Sequence, residues 1–155
     1  QAQSLSQWCQ HLPTKIALCS PRKRTLETCK LAGFDPNHIH LEADAQEWNY
    51  GDYEGKTSLE IEKLHPHWNL FIDGAPRGES PEQVGMRADR LLQKIKAIAQ
   101  PVAVFSHGHF SRVLAARWLG LAPSAGQFFY LSVASLSILG CEHQRPVIKL
   151  WNRTY

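Results

Sequence analysis

A chain of 155 residues is long enough to bury most of the surface that its unfolded form exposes. Hydrophobic content of 43%, charged content of 20% and a formal charge of +3 are ordinary globular values. There is no run of Lys or Arg to suggest a nucleic-acid footprint and no apolar run approaching a membrane span, so neither partner is expected.

Residues 1–12 carry Leu5, Trp8, Cys9 and Leu12 at helical spacing and predict an amphipathic helix ending before Pro13. Residues 15–19 form a short buried strand. Ser20-Pro21 then reads as a helix opening, with Ser as the cap and Pro at the first helical position. That helix runs to Gly33, a C-terminal cap. A short strand is expected over 38–41, followed by an acidic, aromatic loop through Gly55. Residues 57–64 are helical, with a further helical turn over 65–71 interrupted at Pro66. After a Pro/Gly loop over 74–80, Ser80-Pro81 opens a long helix to Ala99, with Gln83 completing a capping box. Residues 101–106 are a second apolar strand and 109–119 the helix that follows it. Residues 132–140 alternate as a strand, and 146–151 are expected to pair with it.

Strands alternating with helices predict an α/β fold in which helices flank a largely parallel sheet. With no repeat, linker or low-complexity segment, one domain over 1–155 is expected. The four cysteines, Cys9, Cys19, Cys29 and Cys141, form no CxxC and no Cys/His pair at metal spacing. Three fall on expected apolar faces, which suits reduced, buried thiols and a cytoplasmic location. The chain starts at Gln1 without a Met, so the absence of a signal peptide is uninformative.

In open α/β sheets, ligands bind beyond the carboxyl ends of the strands. Two segments place charge there: Ser20-Pro21-Arg22-Lys23-Arg24-Thr25 and Ser106-His107-Gly108-His109-Phe110-Ser111-Arg112. Each begins a helix, where free N–H groups and the positive end of the dipole attract anions. Cationic side chains converging on such an edge suit a tetrahedral phosphate. The Arg22–Arg24 run has the alternative of a solvated helix face. His107, between a strand and Gly108, is well placed to expose an imidazole to a ligand. His109 reads equally as a second ligand or as a helix cap. Glu47 lies in a loop walled by Trp48, Tyr50 and Tyr53, an environment that favours a proton-donating carboxyl, although a loop anchored by its aromatics is the plainer reading of that segment alone.

Taken together, four segments resemble the histidine phosphatase (phosphoglycerate mutase-like) superfamily in order and spacing: Ser20 through Thr28, Glu47 through Gly55, Gly78-Glu79-Ser80, and Ser106-His107-Gly108. Within it, the Glu47–Gly55 and His107–Arg112 segments look more like bacterial acid phosphatases and sugar-phosphate phosphatases than mutases. The resemblance implies a three-layer sandwich and hydrolysis of a small phosphomonoester, such as a sugar phosphate, without metal or other cofactor. It implies that Arg24, His107 and Gly108 bind phosphate and that Glu47 is the proton donor, with His109, Glu79, Ser80 and Arg112 on the substrate side. A homodimer stays open. The family's Arg-His-Gly, which carries the phosphorylated nucleophile after its first strand, is absent from the 155 residues. Strand and nucleophile are therefore expected upstream of Gln1. A mutase and a phosphate-binding relative without catalysis are the alternatives.

Overall fold

The computed structural model describes residues 5–154. In chain order it contains α1 (Ser6–Cys9), β1 (Ala17–Cys19), α2 (Lys23–Leu31), β2 (Ile39–Leu41), α3 (Ser58–Leu64), α4 (Leu70–Asp73), α5 (Pro81–Ile98), β3 (Ala103–Phe105), α6 (Gly108–Trp118), β4 (Leu136–Glu142) and β5 (Arg145–Arg153). β1 pairs in parallel with both β2 and β3, in the order β2-β1-β3. β4 and β5 form a separate antiparallel pair. Helices flank the parallel sheet, as the strand–helix alternation predicts.

Alternation along the strands divides the core into two layers. Leu18 and Val104 face a cluster built with Val84, Leu91, Phe110 and Val113 from α5 and α6. Ala17, Cys19, Ala103 and Phe105 face the opposite side, with Cys29, Ala32 and Phe34 of α2 and its exit. There, Phe34 meets Phe105 edge to face at 5.3 Å. Among the described residues the sheet stops at β3, whose three residues are only half-buried, whereas β1 is fully buried.

All four cysteines are free; Cys19 and Cys29 are buried, Cys9 is half-buried and Cys141 is exposed. No helix of the described residues is long and apolar enough to cross a membrane.

Three local expectations need correction. The first helix is one turn, Ser6–Cys9, and the part of its expected range over 1–4 lies outside the described residues. Beyond Cys9 the bonds shorten to His11 N–H→Trp8 O and Leu12 N–H→Cys9 O, the tightening expected as the chain approaches Pro13. α2 starts at Lys23 with Arg22 as its cap residue, so Ser20-Pro21 lies outside the helix. The hydroxyl of Ser20 is engaged by His107 instead, at 2.8 Å. The turn expected over 65–71 is displaced to Leu70–Asp73, capped by the Asn69 side chain accepting from Phe71 N–H at 3.0 Å. His65 leaves the helical region (φ −136°, ψ 85°) and His67 has φ 69°, so the chain breaks around Pro66 before turning again.

Other punctuation follows the sequence. Gly33 (φ 93°) closes α2, with Gly33 N–H→Lys30 O and Phe34 N–H→Cys29 O satisfying its last carbonyls. Ser80 and Gln83 form the expected capping box of α5. A 3-10 segment, Pro123–Phe128, was not anticipated; it packs on α6.

Candidate active site

The carboxyl ends of β1 and β3 lie side by side, tied by Ser20 N–H→Phe105 O at 2.9 Å. His107 leaves β3 there and is 8% exposed. Arg24, in the first turn of α2, donates from Nη2 to His107 Nδ1 at 2.9 Å and from Nε at 3.3 Å. On the far side of the ring, Nε2 meets Ser20 Oγ at 2.8 Å and Thr25 Oγ1 at 3.3 Å. A guanidinium can only donate, so Nδ1 is the acceptor and the ring proton sits on Nε2. Burial holds the His107 pKa below the usual imidazole value. The nearby Arg24, Arg22 and Arg87 act in the same direction, and Glu47 opposes them.

Glu47 approaches from the loop after β2. Its Oε1 accepts from Phe110 N–H at 3.0 Å and from Trp48 N–H at 3.0 Å, while Oε2 faces His109 N–H at 3.4 Å. The carboxylate therefore sits on the first turn of α6, where the free N–H groups and the dipole attract negative charge. Gly108 opens that helix, and the space where a Cβ would lie is empty. Tyr50 completes the cluster: its Oη is 2.6 Å from His109 Nδ1, and the two rings meet edge to face. Burial, followed by the Glu47 charge, pushes the Tyr50 phenol well above its usual pKa. Burial lowers the His109 pKa, aided by Arg112 and opposed by Glu47.

The Glu47 loop is held from behind by Arg87. Its guanidinium donates to the carbonyls of Asp44 and Gln46 at 2.8 Å and of Glu47 at 3.3 Å. It also pairs with both carboxylate oxygens of Glu79 at 2.8 Å. Glu79 in turn accepts from Asn49 N–H at 2.9 Å. Gly51 (φ 49°) and Gly78 let the two loops touch: a Cβ on either would collide with backbone of the other loop. A cavity of about 350 Å³ opens beside Glu47, lined in part by Arg22, Gln46, Asn49, Glu54 and Glu79. No group of three or more His, Cys, Asp or Glu that could hold a metal is found among the described residues.

Arg24, Glu47, His107, Gly108 and His109 thus come together. Ser80 does not join them, since its hydroxyl caps α5 and contacts Glu82. Arg112 donates to the carbonyls of Gly126 and Gln127 and stacks on Phe71, which fixes the 3-10 segment against α6. Sequence reasoning missed Arg87 and the contacts made by Ser20, Thr25 and Tyr50. The last three lie inside segments that had been singled out, but nothing local in Arg87 marks it.

The chain matches the model of the "Histidine phosphatase superfamily (branch 1)" over residues 1–154. It is 42% identical over 134 residues to an acid phosphatase of Mycobacterium tuberculosis (strain ATCC 25618 / H37Rv), covering 85% of this chain and 65% of that protein. It is 36% identical over 100 residues to sedoheptulose 1,7-bisphosphatase of Saccharomyces cerevisiae, covering 54% of this chain and 37% of that protein. The chain thus spans less than two thirds of the length of either relative. The solved structure of the open reading frame Rv3214 of Mycobacterium tuberculosis superposes with a TM-score of 0.93 at 36% identity, covering 99% of this chain and 81% of that one. A mycobacterial glucosyl-3-phosphoglycerate phosphatase, at 20% identity and a TM-score of 0.82 over 99% of this chain and 83% of that one, shares the fold. With the motif segments assembled around His107, the chain belongs to the histidine phosphatase superfamily.

Proposed function

We propose that this chain carries the phosphate clamp and proton donor of a metal-independent phosphatase for a small phosphomonoester, a sugar phosphate or related metabolite. The observation that carries the reading is the Arg24–His107 pair standing beside Glu47 at the start of α6. A guanidinium, an imidazole and the free N–H of a helix start oppose the charge on the non-bridging oxygens of a transferring phosphoryl group. Glu47 is then the group that protonates the leaving alkoxide and later takes a proton from water.

The attacking histidine, on this reading, comes from outside residues 1–155. His107 is committed on both ring nitrogens and His109 is engaged by Tyr50. The edge of β3, unpaired among the described residues and the strand from which His107 departs, is a place where a further strand would bring such a residue to the clamp. The polar lining of the cavity beside Glu47 suits a hydroxyl-rich leaving group. The acid phosphatase and sedoheptulose bisphosphatase relatives support a phosphorylated metabolite as substrate.

The test is a phosphoenzyme trap on the full gene product. Isotopically labelled phosphomonoester should leave an acid-labile, alkali-stable phosphohistidine, and turnover should survive EDTA. Activity lost to EDTA and restored by a divalent metal would refute the reading, as would turnover without any phosphohistidine.

A further inference from the structure

Arg22 and Arg24 stand two residues apart at the start of α2, yet their side chains go to different places. Arg24 turns to His107 and joins the clamp. Arg22 lines the cavity beside Glu47, together with Gln46, Asn49, Glu54 and Glu79. Neither Arg24 nor His107 belongs to that lining, and Glu47 is the residue common to cavity and clamp. With the transferring phosphoryl group at Arg24 and His107 and its bridging oxygen at Glu47, the cavity is the space left for the leaving group.

The backbone of Arg22 is fixed. It is extended (φ −70°, ψ 133°) as the cap residue of α2, and its carbonyl accepts from Thr25 N–H at 3.0 Å and Leu26 N–H at 3.1 Å. Its side chain is not: Arg22 is exposed, and among the described residues no hydrogen bond or salt bridge engages its guanidinium. Three carboxylates line the same cavity, and each has another donor. Both oxygens of Glu79 pair with Arg87. Glu47 accepts from the N–H groups of Trp48 and Phe110, and Glu54 accepts from Tyr50 N–H at 3.2 Å. Arg87, the other cation of the lining, spends its guanidinium on Glu79 and three backbone carbonyls. Arg22 is therefore the lining cation with its donors still to give, in a planar fork that matches the paired oxygens of a carboxylate or phosphate.

We propose that Arg22 is a specificity-determining residue whose guanidinium holds an anionic substituent, a carboxylate or a second phosphate, on the leaving group of the phosphomonoester. This rests on the reading of the chain as carrying the clamp and proton donor of a phosphatase. The Glu54 carboxylate disfavours an anion in its own part of the lining, which directs that substituent to Arg22. A volume of about 350 Å³, at the small end of ligand pockets, suits a leaving group of sugar size.

The test uses the full gene product and two matched pairs of substrates. Glycerol 3-phosphate and 3-phosphoglycerate differ by a carboxylate; fructose 1-phosphate and fructose 1,6-bisphosphate differ by a second phosphate. The unmodified enzyme should favour the more anionic member of at least one pair in kcat/KM. Arg22→Gln should lower kcat/KM for that member at least about 10-fold more than for its partner, the scale of a lost charge-assisted contact. A differential loss confined to 3-phosphoglycerate names the carboxylate as the group held, and one confined to the bisphosphate names the phosphate. Equal losses within both pairs, or no loss, would overturn the proposal, as would an unmodified enzyme that favours the anionic member of neither pair. If none of the four is hydrolysed, the phosphatase reading falls by itself. Calorimetric Kd values for the same compounds then decide the role of Arg22: weaker binding of the more anionic members alone in Arg22→Gln upholds it, and unchanged relative binding overturns it.

Discussion

Arg24 donates to His107 Nδ1 from Nη2 at 2.9 Å and from Nε at 3.3 Å, and this fork fixes the imidazole as a neutral acceptor in the free protein. An oxyanion cannot satisfy the same nitrogen, because both are acceptors. Binding a tetrahedral anion between the two side chains therefore requires Nδ1 to gain a proton. Burial and the surrounding arginines keep His107 neutral until that happens. Sulfate, which does not titrate between pH 5 and 8, should bind with uptake of about one proton near neutrality and with a Kd that tightens toward acid pH. Calorimetry in two buffers of different ionisation enthalpy reads the uptake directly, and His107→Asn should abolish it. Binding without proton uptake would show that the anion sits elsewhere. In the full gene product, His107→Ala should lower kcat at least ~100-fold, the scale lost with one preorganised group that stabilises transition-state charge.

Acid should destabilise the fold through the same residue and through His109. Both imidazoles have lowered pKa values in the folded protein, chiefly because of burial. The unfolded chain, with histidines titrating near ~6.5, then takes up more protons than the folded one as pH falls. Their contribution is complete above that value and is lost progressively below it, down to their folded pKa values. Urea midpoints measured between pH 7.5 and 5.5 should fall, and His107→Asn combined with His109→Asn should flatten the dependence. An unchanged slope in that variant would assign the acid sensitivity to other groups.

How much of this was legible in the sequence depended on whether the partners were local. The apolar strands over 15–19 and 101–106, each followed by a polar helix start, announced both the sheet and the edge where charge gathers. The capping box at Ser80 and Gln83 and the cap at Gly33 involve residues a few positions apart, and the structure contains them. Ser20-Pro21 misled because the hydroxyl that would have capped α2 is taken by a histidine 87 positions away. Arg87 was invisible for a similar reason. Its acceptors lie 40 to 43 positions upstream on backbone carbonyls, which leave no mark on side-chain pattern.

Arg87 should be the residue whose loss most disturbs the Glu47 loop. Its side chain is 11% exposed and satisfies three carbonyls and the Glu79 carboxylate. Arg87→Met keeps the packing over Phe110, where the guanidinium lies 4.7 Å from the ring, but strands those acceptors. The expected cost is about 2 kcal/mol, typical of buried acceptors left without donors. Arg87→Met with Glu79→Gln should be milder than the sum of the two single changes, because the second no longer leaves an unpaired carboxylate. Chemical denaturation of the four proteins measures this coupling, and strict additivity would argue against a shared network.

Glu47 is where structure and mechanism pull in different directions. The carboxylate accepts from the N–H groups of Trp48 and Phe110, and it faces that of His109, as an anion seated on a helix start would. A plain capping role would make Glu47→Gln costly through lost helix contacts, regardless of substrate. A proton-donor role makes the cost depend on the leaving group, since an alkoxide needs a proton and p-nitrophenolate hardly does. Gln keeps a carbonyl oxygen to accept from the α6 N–H groups, so the helix start should survive and the fold should lose no more than about 1 kcal/mol. Expected, then, is a kcat reduced at least ~100-fold on an alkyl phosphate, within the usual range for general acid catalysis, and by far less on p-nitrophenyl phosphate. Glu47→Ala removes cap and donor together and should add a stability loss visible by thermal denaturation. Equal losses of kcat on both substrates with Glu47→Gln would leave Glu47 as the anchor of its loop, and the leaving group would have to find its proton elsewhere.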